Sequence, residues 1–296
     1  MGRLLTERAA RRRWLRKAAA ASLGSLLLVV LTGCSQATTD QWKRLGLPVA
    51  VSDRSPYMES LWIGSWIAAF IIGFFVWGLI LYASFRFRRK EGDEPPRQVR
   101  YNLPIEVLYT VAPIIVVVVL FYFTIQKLDK VNELVANPDH QVDVVAQRWS
   151  WTFDYLHEPA ANNKNVYDQG TPATLPELWL VKGESVTFHL YSPDVVHSFW
   201  VPSFYFKLDV IPGRSDRSTQ SFSMTPTRTG VFAGRCAELC GYLHSRMLFE
   251  VHVVDKAAFD KHMQALASAG QIGRPRGQSN SRTVSGLEAT SQGSTS

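Results

Sequence analysis

Residues 236–247 read Cys236-Ala237-Glu238-Leu239-Cys240-Gly241-Tyr242-Leu243-His244-Ser245-Arg246-Met247. This run offers two thiolates, one imidazole and one thioether at short, fixed spacing. Thiolate and thioether are soft ligands and imidazole is intermediate, so the mixture favours copper over calcium, magnesium or manganese. His197, further upstream, adds a second imidazole. One trigonal copper ion needs only one cysteine, whereas this set is enough for two copper ions that share both sulfurs.

Two other chemistries fit part of this run. The chain has three cysteines, and Cys236 and Cys240 could form a disulfide in an extracytoplasmic domain. Zinc also binds cysteine and histidine, but zinc sites more often have two cysteines separated by two other residues, and they rarely use methionine. Because His244 and Met247 follow the cysteines at once, the sequence favours copper over both alternatives.

Short stretches of alternating apolar side chains predict a small all-β domain over residues 127–256. The aromatic residues of the stretch 145–155 fall on one face of a predicted strand, and they are Trp149, Trp151, Phe153 and Tyr155. Such alternation is typical of a two-sheet sandwich with an apolar centre. The metal-binding run would lie on loops at one end of this sandwich. His189 and His252 fall inside strand patterns and are interpreted as ordinary sheet histidines.

The segment 257–296 follows the predicted β domain. A short helix is predicted near its start, over residues 259–266. From residue 268 the chain is rich in Gly, Ser, Thr and Gln, which predicts a disordered tail.

Two long apolar segments precede the β domain. Residues 61–83 carry no charged side chain, and neither do residues 107–126. At about 1.5 Å rise per residue, each segment is long enough to cross a hydrocarbon core of roughly 30 Å. The loop 86–100 has six Arg or Lys against three Asp or Glu, and this bias places the loop in the cytoplasm. A transmembrane hairpin over residues 61–126 therefore leaves residues 34–60 and the β domain outside the cytoplasm.

Residues 1–33 have the pattern of a signal peptide, with a basic start and then an apolar stretch. The sequence Leu-Thr-Gly-Cys that ends at Cys34 resembles the bacterial lipoprotein cleavage box, in which the cysteine is lipidated. The whole chain has a formal net charge of +7, but residues 1–34 hold seven Arg or Lys and one Glu. Removal of the signal peptide leaves a nearly neutral chain, which removes the electrostatic support for a nucleic-acid partner.

These features together resemble subunit II of the haem-copper cytochrome c oxidases in its bacterial lipoprotein form. The resemblance runs from the signal peptide to about Val254. It implies a two-helix transmembrane hairpin plus an all-β, cupredoxin-like Greek-key sandwich on the extracytoplasmic side of the bacterial cell membrane. It also implies a respiratory subunit that takes electrons from cytochrome c at a binuclear copper (CuA) centre. The electrons would pass to haem in subunit I, where oxygen reduction is coupled to proton pumping.

The resemblance implies a copper ligand set of His197, Cys236, the backbone carbonyl of Glu238, Cys240, His244 and Met247. The two cysteines would bridge the two copper ions, and each histidine would bind one of them. Met247 would complete one ion and the Glu238 carbonyl the other. The side chain of Glu238 would reach a magnesium or manganese ion shared with subunit I.

Four further residues match positions of the same family. Trp149 matches the tryptophan through which the electron enters from cytochrome c, whether that donor is soluble or tethered. Glu106 matches a carboxylate at the cytoplasmic mouth of a proton path, although an acid at a membrane boundary is often only an interface anchor. Lys207 and Asp209 match a segment that faces subunit I, and a structural turn contact is the alternative for both.

Three other classes of protein share part of this pattern. A free-standing, membrane-anchored copper electron carrier is the alternative function, but it would need neither Glu106 nor two spans. A quinol-oxidase relative keeps the fold but lacks the copper ligands, and a copper-delivery lipoprotein usually binds one exchangeable ion. The intact run and the hairpin favour an oxidase subunit, with other oxidase subunits, cytochrome c and membrane lipid as partners and no nucleic acid.

Overall fold

The structure is a computed structural model that describes residues 36–89, 92, 94, 98–213 and 220–275. The chain divides into two compact units, residues 1–48 and residues 49–296. The described part of the first unit contains helix α1 (Gln36–Lys43). The predicted signal peptide, Cys34 and the tail beyond residue 275 lie outside the described residues.

Helices α2 (Ser55–Arg86) and α3 (Leu103–Asn132) form the predicted hairpin. Each helix has a proline in its first turn, where the missing N–H has no helical partner to lose. Within the described ranges, these are the two helices that are long and apolar enough to cross a membrane. Both extend past the predicted apolar segments, because a helix continues into polar flanking turns that hydropathy does not detect.

Arg54 joins the ends of the hairpin that lie next to the β domain. Its guanidinium Nη1 donates a hydrogen bond to the carbonyl of Lys130 (2.7 Å), and Nη2 donates to the carbonyl of Glu133 (3.2 Å). The hydroxyl of the buried Ser55 donates to the carbonyl of Phe204 in the β domain (3.0 Å). The hairpin is therefore fixed both to itself and to the β domain.

In the part of the chain that the structure describes, ten strands form two five-stranded sheets. The strands are β1 (His140–Gln147), β2 (Ser150–Glu158), β3 (Lys164–Gln169), β4 (Glu177–Val181), β5 (Val186–Tyr191), β6 (His197–Val201), β7 (Phe206–Val210), β8 (Ser221–Met224), β9 (Gly230–Cys236) and β10 (Leu248–Val254). The first sheet has the order β3-β2-β1-β5-β8 and the second has β4-β10-β9-β6-β7. The pairs β1–β5 and β4–β10 are parallel, and the other pairs are antiparallel. The chain crosses repeatedly between the two sheets. The prediction of a helical hairpin followed by a β-sandwich is confirmed.

Aromatic side chains fill the space between the two sheets. Phe199 stacks on Phe249 with ring centroids 5.1 Å apart, and Trp151 meets Phe249 edge-on at 5.3 Å. The backbone at Gly234 passes directly over the ring of Phe249, where an added Cβ would lie 2.1 Å from a ring atom. Only glycine allows this close approach. The core thus supports β9 and β10, the two strands that flank the metal-binding run.

The stretch 145–155 forms two strands instead of the single strand that its alternation predicts. Strands β1 and β2 pair antiparallel up to Gln147 and Ser150, and the chain turns between them at Arg148 and Trp149. Trp149 is therefore in the turn, and it is half-buried. Trp151, in β2, has a fully buried side chain.

The segment after residue 268 is ordered further than its composition predicts. Helix α4 (Lys256–Ser268) packs on the β domain, and the chain then runs along the edge strand β3. Ile272 forms a bridge with Val166, and the N–H of Gly273 donates to the carbonyl of Asn165 (3.0 Å). Arg274 forms an ion pair with the buried Asp143. The backbone groups on the outer edge of a sheet have no strand partner. Ile272 and Gly273 pair with part of this edge at β3.

Candidate metal centre

One end of the sandwich brings the predicted copper donors together. His197 begins β6 and Cys236 ends β9, and these strands are hydrogen-bonded neighbours. The N–H of Cys236 donates to the carbonyl of Met247 (3.0 Å), which closes the base of the loop. The N–H of Ala237 donates to the carbonyl of Ser198 (3.0 Å), which fixes the loop to β6. The backbone of two paired strands therefore sets the position of the donor side chains.

Five side-chain donor atoms lie close to one another at this end of the sandwich. The Sγ atoms of Cys236 and Cys240 are 3.9 Å apart. The Nδ1 atom of His197 is 3.9 Å from Cys236 Sγ, and the Nδ1 atom of His244 is 3.6 Å from Cys240 Sγ. The Sδ atom of Met247 is 3.7 Å from Cys240 Sγ. Each cysteine therefore has one imidazole beside it, and the thioether lies next to Cys240.

Cys236 and Cys240 are free thiols. Their Sγ–Sγ distance of 3.9 Å is far longer than the disulfide bond length of about 2.05 Å. The hydrogen bond between the two sulfurs lowers the pKa of Cys236 despite its burial, and the adjacent His197 lowers it further. The same hydrogen bond, together with burial, raises the pKa of Cys240. The pair thus holds one negative charge readily, and a bound cation would have to displace the remaining thiol proton.

The chemistry of this donor set fits a pair of copper ions. The cluster is buried, with Cys236, Cys240, His197 and Met247 each at most 5% exposed. The carbonyl oxygen of Glu238 lies 3.3 Å from Cys236 Sγ and adds one oxygen donor. Two thiolates, two imidazoles and a thioether are ligands that copper accepts, whereas zinc rarely binds a thioether. The buried sulfur of Met247 has a clear use only in the copper interpretation.

Asp194 orients His197, and its role could not be read from the sequence. Its Oδ1 accepts a hydrogen bond from His197 Nε2 (2.9 Å), which leaves Nδ1 facing the sulfurs. Its Oδ2 accepts from the backbone N–H (2.8 Å) and the Nε–H (3.2 Å) of Arg148. Burial alone would raise the pKa of Asp194, but the hydrogen bonds from His197 and Arg148 lower it to about 2. Metal-binding histidines commonly donate their other ring N–H to a carboxylate in this way. The sequence shows only that Asp194 precedes His197 by three residues, which does not indicate a contact between their side chains.

Trp149 packs against the backbone of the cysteine loop. Its indole Nε1–H donates a hydrogen bond to the carbonyl of Cys240 (3.2 Å). Its ring covers Gly241, which has a φ of +122°, and an added Cβ there would lie 3.1 Å from the ring. Both the backbone conformation and the space therefore require glycine. Trp151 instead lies in the core, where its Nε1–H donates to the carbonyl of Met247 (3.3 Å).

Known proteins share both halves of this architecture. A family model described as "Cytochrome C oxidase subunit II, periplasmic domain" matches residues 141–254. A second, "Cytochrome C oxidase subunit II, transmembrane domain", matches residues 40–126. The chain belongs to the cytochrome c oxidase subunit II family.

Relatives of this family match most of the chain. A "Probable cytochrome c oxidase subunit 2" of Streptomyces avermitilis is 44% identical over 301 residues, which cover 90% of this chain and 92% of the relative. The "Cytochrome c oxidase subunit 2" of Corynebacterium glutamicum is 32% identical over 331 residues, with 90% and 92% covered. A crystal structure of the periplasmic domain of subunit II of cytochrome oxidase from Bradyrhizobium japonicum is 24% identical and covers 46% of this chain and 99% of that chain, with a TM-score of 0.39.

Membership of the cytochrome c oxidase subunit II family confirms the predicted identity and the predicted membrane location. It makes this chain a subunit of an oxidoreductase complex that contains other oxidase subunits. The family also implies a copper centre. Three side chains of this chain, His197, Cys236 and Cys240, place ligand atoms within 4.8 Å of one another and are all buried.

Glu238 and Glu106 lie in different surroundings from the buried cluster. The side chain of Glu238 is exposed on the cysteine loop. Glu106 is in the first turn of α3, where its Oε1 accepts a hydrogen bond from the backbone N–H of Asn102 (2.9 Å). This bond caps the start of the helix, so Glu106 has a structural role at this position.

Lys207 and Asp209 are exposed and project from one face of the edge strand β7. Lys207 lines an open cleft of about 450 Å³ together with Trp200 of β6 and residues at the end of α3. The two charged side chains are thus on a surface that is open for contact with another subunit.

Proposed function

We propose that this subunit accepts electrons from a cytochrome c at a binuclear copper (CuA) centre. From there they go to haem in subunit I, for oxygen reduction coupled to proton pumping. The observation that carries this proposal is the cluster of two free thiols, two imidazole nitrogens and one thioether at one end of the sandwich, in which every donor residue except the half-buried His244 is buried. The family membership supports the same conclusion, because a subunit of this family works within an oxidase.

The residues of the cluster would hold the copper ions with little freedom to move. When bound, a copper pair bridged by two thiolates exchanges one electron at a time. Cys236 and Cys240 would supply the bridging sulfurs, and His197 and His244 would each bind one ion. Met247 and the Glu238 carbonyl would complete the set. The backbone bonds at the loop base and the bond from His197 to Asp194 would keep these donors in place in both oxidation states.

Trp149 would receive the electron from cytochrome c. Its ring is partly exposed, and its indole nitrogen bonds to the carbonyl of Cys240, one of the proposed bridging residues. An aromatic ring that joins the surface to the backbone of the cluster is suited to this role. The buried Trp151 reaches the same loop only from inside the core, so it cannot contact a docked protein.

The copper domain would lie on the extracytoplasmic side of the bacterial cell membrane. The basic loop 86–100 supports this orientation, since short basic loops stay in the cytoplasm. The fold is compatible with it, because Arg54 joins the two ends of the hairpin to each other and Ser55 joins them to the β domain. Lipidation of Cys34, after removal of residues 1–33, would add a second membrane anchor.

Four charged residues would serve roles in the assembled oxidase. The exposed side chain of Glu238 would reach a magnesium or manganese ion shared with subunit I. Glu106 would stand at the cytoplasmic mouth of a proton path. Lys207 and Asp209, exposed on β7, would face subunit I. These roles rest on family resemblance together with exposure, and each is separable from the copper cluster by mutation.

Metal analysis and EPR of the purified full-length subunit test the central proposal. We expect two copper ions per chain, a purple colour and an EPR signal from one electron shared over two coppers. Cys236→Ser should abolish this signal, while Cys34→Ser, which removes the third thiol of the chain, should leave it unchanged. Met247→Leu should alter the spectrum and the reduction potential without loss of fold. One copper per chain, or the spectrum of a single copper, would refute the proposal.

Copurification separates the oxidase subunit from the alternative of a free-standing carrier. The subunit should leave the membrane in mild detergent together with a haem-bearing, many-span partner. A copper-loaded chain that purifies alone under the same conditions would favour the carrier.

A further inference from the structure

We propose that Glu177, Glu250 and His252 form a second metal site, for a divalent transition-metal ion such as Zn²⁺. The site lies on the outer face of the second sheet, where β4 and β10 run side by side. It shares no ligand with the copper cluster, and it goes beyond the proposed electron-transfer function.

The register of two parallel strands places the three side chains together. Glu250 of β10 is the direct partner of Glu177 of β4, and His252 is the partner of Trp179. His252 Nε2 lies 3.4 Å from Glu250 Oε2 and 3.8 Å from Glu177 Oε2. One ligand atom from each of the three residues falls within 4.8 Å of the other two. The sheet thus presents one nitrogen and two carboxylate oxygens toward a common point.

The electrostatics of this cluster call for a cation. Two carboxylates directly opposite each other on neighbouring strands repel, and such pairs destabilise a sheet. The Nε2 atom of His252 is buried within ion-pairing distance of both carboxylates, but it forms a hydrogen bond with neither of them. Buried polar atoms in folded proteins nearly always have a partner, and an ion held between the three side chains would give this nitrogen one. One imidazole and two carboxylates are a ligand set that Zn²⁺ accepts, with water in the remaining position.

Neighbouring groups hold the three side chains in place. Trp179 Nε1–H donates a hydrogen bond to Glu177 Oε2 (2.7 Å), and Asp168 Oδ1 accepts from the N–H of Glu177 (3.2 Å). The indole of Trp179 is stacked between His252 (4.8 Å, 5°) and His262 of α4 (4.1 Å, 9°). The imidazole of His252 therefore has a fixed ring plane. Such supporting contacts are typical of metal ligands, because they fix ligand orientation before the ion binds.

An ion has access to this site and would be well separated from the copper cluster. The side chain of Glu177 is 39% exposed and that of Glu250 is 46% exposed, so solvent reaches both carboxylates. His252 follows Met247 by five residues, which corresponds to about 17 Å along the strand. The flanking residues Phe249 and Val251 point into the core, so Glu250 and His252 lie on the opposite, outer face of the second sheet.

Equilibrium dialysis of the full-length subunit against Zn²⁺ near neutral pH tests this proposal, with zinc per chain measured by mass spectrometry. The background is Cys236→Ser/Cys240→Ser, which removes the cysteine cluster as a competing site and makes the result independent of the copper proposal. We expect one saturable zinc ion per chain. His252→Gln and Glu250→Gln should each weaken its binding by at least tenfold.

His157→Asn is the matched control, because it removes an exposed histidine at a φ of 50°, a conformation that asparagine tolerates. It should leave zinc binding unchanged. Circular dichroism of every variant should match the parent, since Glu250 and His252 both lie on the outer face of the sheet. The absence of a saturable zinc ion in the parent would overturn the proposal. So would equal zinc affinity in the parent and His252→Gln, and in either case the three side chains would hold no metal ion.

Discussion

Replacing Asp194 with asparagine breaks the link between the proposed copper ligand His197 and the turn that carries Trp149. The carboxylate is buried, with one oxygen on His197 Nε2 and the other on two N–H groups of Arg148. Asparagine has nearly the same shape, but its amide nitrogen donates hydrogen bonds and cannot accept them. Either His197 or Arg148 must therefore lose its hydrogen-bond acceptor.

The size of the effect depends on which way the new amide points. If its oxygen stays on His197, two N–H groups of Arg148 lose a charged acceptor. At about 1.5 kcal/mol for each bond, folding is destabilised by about 3 kcal/mol. If its oxygen faces Arg148 instead, His197 loses its orienting partner and the backbone N–H of Val195 loses its acceptor. Loss of such a partner typically weakens metal binding by about 10- to 100-fold, or about 1.4–2.7 kcal/mol.

Two assays on the full-length subunit distinguish these outcomes. Copper titration against a competing chelator measures metal affinity, and denaturant unfolding of the metal-free chain measures stability. Asp260→Asn is the matched control, because Asp260 forms only an exposed pair with Lys256 (2.9 Å) that is worth about 0.3–0.5 kcal/mol. If Asp194→Asn behaves like this control in both assays, Asp194 does not position His197 and the reasoning is refuted.

Three further predictions concern the tryptophan turn and a buried histidine. Trp149→Ala should slow electron transfer from cytochrome c in stopped-flow kinetics but leave the copper spectrum unchanged; an unaffected rate would make the ring structural only. Gly241→Ala should cost about 1–3 kcal/mol, because of the positive φ, and should shift the fluorescence of Trp149; unchanged stability and emission would contradict the packing described above. Burial lowers the pKa of His140, but hydrogen bonds to Glu158 and Glu184 outweigh burial and raise it above 6.5. The stability that His140 contributes is therefore present below pH 6.5 and is lost as the pH rises through the folded-state pKa. Unfolding at a series of pH values should show this loss in the parent and not in His140→Gln.

Hydropathy and alternation were enough to predict the main architecture. The apolar segments gave the two spans, but not the polar turns that carry α2 back to Ser55 and α3 on to Asn132. Those ends depend on contacts with the β domain, such as the bond from Ser55 to Phe204. Alternation likewise identified the core faces of the strands. It did not reveal the turn at Arg148 and Trp149, because that turn contains no glycine, proline or asparagine to signal it.

The metal-binding run was predictable because its donors are close in sequence, whereas the surrounding contacts were not. Asp194 and Arg148 meet only because the turn after β1 lies beside the loop before β6. In the same way, Glu177 and His252 are far apart in sequence and meet through the parallel register of β4 and β10. No local sequence pattern indicates that residues so far apart in the chain are in contact. The sequence around His252 therefore indicates only an ordinary strand histidine.

The parallel pairing of β4 with β10 also determines when the second sheet can be completed during synthesis. Strand β4 is made early, but its neighbour in the sheet, β10, is the last strand to leave the ribosome. At about 5–20 residues per second, β4 waits for several seconds without its partner. The loop that bears the cysteines is tied at its base only when Met247 meets Cys236, just before β10. Metal loading therefore requires synthesis at least as far as Met247, and a nascent chain stalled before Cys236 would lack both thiolates.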